Sequence, residues 1–404
     1  MNASPYAPTI RALYQTALVV FAVTVVIGIL NGLDLVDFSR DALLTHVHAG
    51  TLGMITLSVI ATAFWIFSDR GQEPVSRAST RGLAWLAGVG VPLYVVAFYS
   101  GALWARALFA LPVLAAIVLF LAWLTRALRS EPMTLPRVGA LAAVVALLVG
   151  GTLGTLIQVQ LATGATIFGD GTDPIGGHAS AMAFSYLILF GMTIADWRLR
   201  GVKDGPMPRA GLVQIGLLLI AGLLLTTGVL FNIQPLLMLN LLFELAAVAV
   251  FVWRMWPSLA SIDWLAGTSQ RQFGVSAVFI VVDVLLIVWL ITQLIGAQGD
   301  ITKISTGLLI ASDHAVFIGV MTNAILGLLM YASERRGAAP GALAQVVFWG
   351  VNIGLVGFLV GLIGEVTILK QVFTPIMGTA LLIAIVAFIL ALRSSEPEPM
   401  AAPA

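Results

Sequence analysis

The chain contains no cysteine. That absence excludes disulfides, thiolate-held iron–sulfur clusters, covalently attached c-type heme and a thiolate copper centre. Charge is almost as scarce. Only 10% of the 404 residues are Asp, Glu, Lys or Arg, where a domain built for water carries roughly a quarter. The net charge of +1 leaves no electrostatic footprint for nucleic acid. Histidine occurs four times, at His46, His48, His178 and His314, so any imidazole chemistry must run through those side chains.

What is abundant is hydrocarbon: 60% of residues are apolar and the mean hydropathy is +1.03. Apolar runs of about twenty residues, long enough to cross a hydrocarbon layer of about 30 Å, recur along the whole chain. They are predicted near 10–33, 42–68, 80–102, 105–128, 137–163, 175–197, 209–231, 234–256, 273–296, 304–332, 342–365 and 371–393. The expectation is an all-α polytopic membrane protein of twelve transmembrane helices forming one integral domain over 1–404, in contact with lipid. Gln158, Glu244 and Asp283 fall inside spans, as polar residues of packed rather than lipid-facing helices do. The polar stretch Met1 to Thr9 carries no small-residue cleavage site, and the apolar run after Arg11 is too long for a signal-peptide core. It reads as the first membrane helix. The tail SSEPEPMAAPA reads as a short disordered end.

Basic residues set the expected orientation. With the N-terminus in the cytoplasm, Arg40, Arg106, Lys303 and Lys370 fall outside, and the other sixteen of the twenty Lys and Arg fall inside. The inner set includes Arg11, Arg70, Arg77, Arg126, Arg198, Lys203, Arg335, Arg336 and Arg393. This positive-inside asymmetry predicts a multi-pass protein of the cytoplasmic membrane with both termini cytoplasmic.

The second, sixth and tenth spans align without gaps from His48, His178 and His314. Alanine follows each histidine (Ala49, Ala179, Ala315), and a small residue stands five on (Gly53, Ala183, Gly319). A hydroxyl stands eight on (Thr56, Tyr186, Thr322) and a small residue thirteen on (Ala61, Gly191, Gly327). Each helix ends in Arg-Gly: Arg70-Gly71, Arg200-Gly201, Arg336-Gly337. The positive-inside rule accounts for the arginines; it does not account for histidines at one depth in every fourth helix. The pattern predicts three pseudo-repeated four-helix arcs, about 10–128, 137–256 and 273–393, each giving one histidine-bearing helix to the interior.

An ionisable side chain in the membrane is costly and faces a cavity, a partner or a metal. Two imidazoles from different helices can bracket a heme iron. The small residues one and five past each histidine suggest room for a flat macrocycle. His46 and His48, two apart, lie on opposite sides of their helix, and the repeat register selects His48 to face the interior with His178 and His314. His46 is left for a neighbouring site or the outer surface. Asp313 could orient the His314 imidazole or cap the helix start. Glu244 and Asp283 suit either proton transfer or structural hydrogen bonding. Tyr186 could donate a hydrogen bond in the cavity of His178. Trp65, Trp104, Trp197 and Trp256 near helix ends read as interface belts.

This pattern resembles the catalytic subunit of the heme–copper oxidases and nitric oxide reductases. The resemblance implies twelve helices in three arcs, with histidines on helices two, six and ten. It implies that His48 or His46 is the outer ligand of a low-spin heme b, that His314 holds an axial heme position, and that His178 matches the first ligand of a copper or non-heme iron site. The chain departs from that family. Helix ten carries one histidine rather than two, the paired histidines opening helix seven are missing, and Ala179, Ser180 and Met182 replace the Pro, Glu and Tyr that follow the helix-six histidine. An oxygen-reducing site with three-histidine copper is therefore not expected. The chain is also similar to the NnrS heme- and copper-containing membrane proteins of nitric oxide response. The implied function is electron transfer or nitric oxide or oxygen chemistry as an oxidoreductase, with an electron-donor protein or partner subunit. The alternatives are a non-catalytic sensor or assembly protein of the same fold, and a twelve-helix secondary transporter, although transporters are built as six plus six.

Overall fold

A computed structural model describes residues 1, 3–68, 71–129, 133–201, 207–337 and 341–393. Arg70, Lys203 and the tail from Ser394 onward lie outside the described residues. Among the described residues twelve helices are long and apolar enough to cross a membrane: α1 (Ala7–Gly32), α2 (Arg40–Ile66), α3 (Arg77–Tyr99), α4 (Leu103–Arg129), α5 (Leu135–Thr163), α6 (Pro174–Arg200), α7 (Arg209–Leu230), α8 (Gln234–Ala260), α9 (Ser269–Gly296), α10 (Thr306–Glu334), α11 (Ala342–Ile363) and α12 (Thr367–Arg393). No strand occurs among the described residues. Helix is what an apolar chain must form in lipid, because it alone satisfies every backbone N–H and C=O within one segment.

Burial sorts the helices into two shells. In α2, α6 and α10 the most apolar window is 83%, 83% and 89% buried, against 33–61% in the other nine helices. The three histidine-bearing helices are thus the interior. The outer helices pack as hairpins α3–α4, α4–α5, α7–α8 and α11–α12, and α12 returns onto α1 to close the ring. Ser39, Asp173 and Ser305 cap the interior helices, accepting from the amides of Ala42, Gly176 and Leu308. Caps of this kind stabilise a helix start by about 0.5–2 kcal/mol. They also fix the depth of the histidines, since His48 and His314 each lie nine residues past their cap (48 − 39; 314 − 305).

Each interior helix widens into a π-helical segment at the same place. The segments are Ala49–Thr56, Ser180–Leu187 and Ala315–Thr322, eight residues each, beginning directly after His48 and His314 and two residues after His178. π-Helix is rare and marks functional sites. The hydroxyls eight past His48 and His314 bond into it: Thr56 donates to Thr51 O at 3.0 Å and Thr322 to Phe317 O at 2.8 Å. The residue at the matching position of α6, Tyr186, reaches across to Thr56 Oγ1 at 3.4 Å. The widened segments meet at the centre, α10 touching both α2 and α6.

At the opposite end of the interior helices Trp65, Trp197 and Tyr331, one from each, form an aromatic cluster. Trp65 lies 6.1 Å from each of the other two ring centroids. Trp65 is fully buried and is no interface residue; Trp104 and Trp256, 68% and 66% exposed, fit the belt. The same end holds a buried ion pair, Arg254 of α8 donating to both carboxylate oxygens of Asp196 on α6 at 3.0 and 2.6 Å. In α10 and α11, Asn323 and Asn352 exchange reciprocal amide hydrogen bonds of 2.9 and 3.2 Å.

Candidate functional site: two histidine pairs

The four histidines sort into two pairs on opposite faces of α2. His46 and His314 line one cavity of about 420 Å³ bounded by α1, α2, α10, α11 and α12. Their ring centroids are 6.3 Å apart, with 27° between planes. His48 and His178 line a second, smaller cavity of about 200 Å³ between α2, α3, α4, α5 and α6. The register of the repeat pairs His48 with His314, but α2 turns His46 toward α10 and His48 toward α6. Both histidines of α2 therefore face the bundle, because residues two apart point to different sides of one interior helix.

Every ring is anchored through Nδ1. His46 bonds Thr24 O of α1 at 2.8 Å, and His178 bonds Gly150 O of α5 at 2.8 Å. His48 and His314 bond carbonyls of their own helices four residues back, Leu44 O at 2.7 Å and Ile310 O at 2.8 Å. A carbonyl only accepts, so each Nδ1 must carry a proton, and in the neutral ring the lone pair is then on Nε2. Among the described residues no protein group hydrogen-bonds to any of the four Nε2 atoms. An imidazole fixed at Nδ1 by a carbonyl and open at Nε2 is in the state a metal ligand requires.

Two glycines make the cross-helix anchors possible. A Cβ on Gly28 would stand 3.0 Å from Cε1 of His46, and one on Gly154 would stand 2.8 Å from Cε1 of His178. Each glycine lies four residues after the residue whose carbonyl receives the imidazole, Thr24 and Gly150. Of the small residues of the repeat, Ala179 and Ala183 line the cavity of His178 as expected, whereas Gly53 and Gly319 have another use. A Cβ on Gly53 would meet Val20 at 2.3 Å and one on Gly319 would meet Phe279 at 2.3 Å. These positions let neighbouring helices approach, as small residues do between membrane helices, and leave no room there for a macrocycle.

Asp313 neither caps α10, which Ser305 does, nor holds His314, whose Nδ1 goes to Ile310 O. With Val47 and Phe317 it lines both cavities and forms the wall between them. Tyr186 lines the cavity of His178. Glu244 and Asp283 are buried away from both cavities, and Asp283 Oδ1 accepts from Ser312 at 3.4 Å. Sequence reasoning missed the glycine cradles, the receiving carbonyls and Lys370, which lines the cavity of His46 and His314 while donating to Asp34 at 2.7 Å. Of these only Lys370 left a trace in the sequence, as one of four basic residues on the expected outer side.

Among the described residues no group of three or more His, Cys, Asp or Glu side chains is placed to hold a metal ion. A bare ion such as zinc takes three or four protein donors, and either cavity offers two imidazoles. An iron porphyrin brings four nitrogens of its own and asks the protein for two axial ligands. The donor set and the apolar walls fit that group. No model of a known family matches the chain, and no curated protein sequence matches it.

Proposed function

We propose that the chain is a heme-binding protein of the cytoplasmic membrane in which His46 and His314 are the two axial ligands of a b-type heme. The observation that carries this reading is the His46–His314 pair: two Nδ1-anchored rings, 6.3 Å between centroids, lining one cavity. Two imidazoles that face each other across such a gap, each with its Nε2 lone pair free, would hold an iron porphyrin between them. A ligand from helix two and another from helix ten is also what the resemblance to the heme–copper oxidases and nitric oxide reductases implies.

Bound heme supplies one-electron redox chemistry. The chain's own groups do the rest. Thr24 O and Ile310 O hold the two rings against rotation and keep their Nε2 lone pairs free. Phe21, Val25, Phe358 and Met377 exclude water from the cavity. Lys370, beside Asp34 at the end where α1 leaves its span, offers a cation to an acidic substituent of the macrocycle. With His46 and His314 both holding the group, no position would be left open for a gas. The function is therefore electron transfer, with a donor protein or partner subunit, rather than respiratory oxygen reduction. The skew of basic residues supports cytoplasmic termini and places the histidines toward the outer surface.

The test is an absorption spectrum of the detergent-purified protein expressed with ample heme. A Soret band with sharp α and β bands on reduction is expected, and His46→Ala or His314→Ala should diminish or broaden them. Absence of any Soret band in the wild-type chain would sink the reading.

A further inference from the structure

The cavity of His48 and His178 repeats, one position round the bundle, the ring anchors of the cavity of His46 and His314. In each, one ring is anchored across to the preceding helix, His46 to Thr24 O and His178 to Gly150 O. In each, a glycine four residues after that carbonyl receives the ring edge, Gly28 and Gly154. In each, the facing ring is anchored to the carbonyl four residues back on its own helix, His314 to Ile310 O and His48 to Leu44 O. Each of these facing histidines opens a π-helical segment at the next residue. His178, although aligned in sequence with His48, is thus held in the manner of His46.

The outer ends match as well. Lys370 pairs with Asp34 at the first cavity, and Arg106 pairs with Asp41 at 2.5 Å beside the second. Arg106 lies over the face of Phe98 at 4.7 Å, and the other stacking partner of Phe98 is His48, at 3.9 Å and 16°. Arg106 is 4% exposed, and its Nε has no hydrogen-bond partner. Of the four basic residues expected outside, Lys370 therefore lines the first cavity and Arg106 stands one ring behind His48 of the second. The second cavity is walled by Leu114, Ile117, Gly151, Thr155 and Met182, and along α6 its lining runs from Ile175 to Leu187. That lining covers the α-helical start of α6 and its whole π-helical segment, a reach suited to an extended ligand rather than to an ion.

We propose that His48 and His178 hold a second iron porphyrin, with Arg106 as the cation for its acidic edge. This rests on the reading of His46 and His314 as a heme pair and extends it. α2 would then give one ligand to each group from opposite sides of a single turn, with Val47, Phe317 and Asp313 as the wall between them. The chain becomes a two-step electron relay rather than a single-heme cytochrome.

The experiment is the ratio of heme to polypeptide in the purified full-length protein, by pyridine hemochrome absorbance, with a redox titration of the same samples. Two hemes per chain are expected in the wild type. His48→Ala and His178→Ala should each leave one, and so should His46→Ala and His314→Ala, with the remaining midpoint potential differing between the two sets. His178→Met keeps a ligand and guards against loss through misfolding; it should retain both hemes and raise one potential, as thioether ligation does. One heme per chain, lost with His46 or His314 and indifferent to His48 and His178, overturns the second site and leaves the first standing. One heme together with copper that disappears in His178→Ala overturns it likewise. No heme at all overturns both.

Discussion

Gly28→Ala isolates the ring cradle without touching a ligand. The new Cβ would stand 3.0 Å from Cε1 and 3.6 Å from Nδ1 of His46. Carbon atoms rest at about 3.5–4.0 Å, so the ring must retreat by about 0.5 Å or more. It has little freedom to do so, being held at Nδ1 by Thr24 O at 2.8 Å and facing His314 across 6.3 Å. Overpacking of this kind costs about 1–3 kcal/mol. If the strain falls on the axial bond, heme affinity drops about 5- to 150-fold, at 1.4 kcal/mol per tenfold. The assay is hemin titration of apo-protein in detergent, followed by the reduced α band. Gly216→Ala is the control, since its Cβ meets nothing within 4 Å, and loss of a helical glycine there should stabilise by about 0.5–1 kcal/mol. Equal hemin affinity and identical spectra in the two variants would refute the cradle.

Removing the carboxylate in Asp196→Ala leaves Arg254 buried without its ion partner, a loss of about 3–5 kcal/mol by the usual cost of an uncompensated buried charge. The thermal midpoint in detergent should fall well below that of Asp196→Asn. Asn323→Leu strands the Asn352 amide at a cost of about 1–3 kcal/mol, whereas Asn323→Leu combined with Asn352→Leu should recover much of it, because removing both partners leaves no orphan; equal midpoints for single and double variants would contradict this. Just after α1, hydrogen bonds from Lys370 and then Gln371 hold the Asp34 carboxyl below the usual carboxylate range. A depressed folded-state value means that the contribution is complete above the ordinary carboxylate pKa and is lost as pH falls through the folded value. Asp34→Asn should therefore lower stability near neutrality and flatten the acid limb of the pH–stability curve, the two curves converging at low pH.

Much of this protein could be read from its residues, because the membrane leaves few choices. An apolar run of about twenty residues must be helical, so twelve spans and their approximate limits follow from hydropathy alone. The interior position of α2, α6 and α10 was also legible, since histidine and small residues at one depth in every fourth span have no reason to face lipid. The tertiary structure alone decided which histidines meet. Sequence spacing places His46 and His48 on opposite sides of α2 but cannot say which side adjoins α10, and the repeat register pointed to His48 where the packing brings His46 to His314. Trp65 lies near a helix end like any belt residue, yet three interior helices converge there and bury it completely. Gly28 and Gly154 are two among forty glycines in sequence. Only the crossing of α1 over α2 and of α5 over α6 makes each the floor beneath an imidazole. The chain determines its helices one at a time through local solvation, and pairs its ligands only where helices far apart in sequence touch.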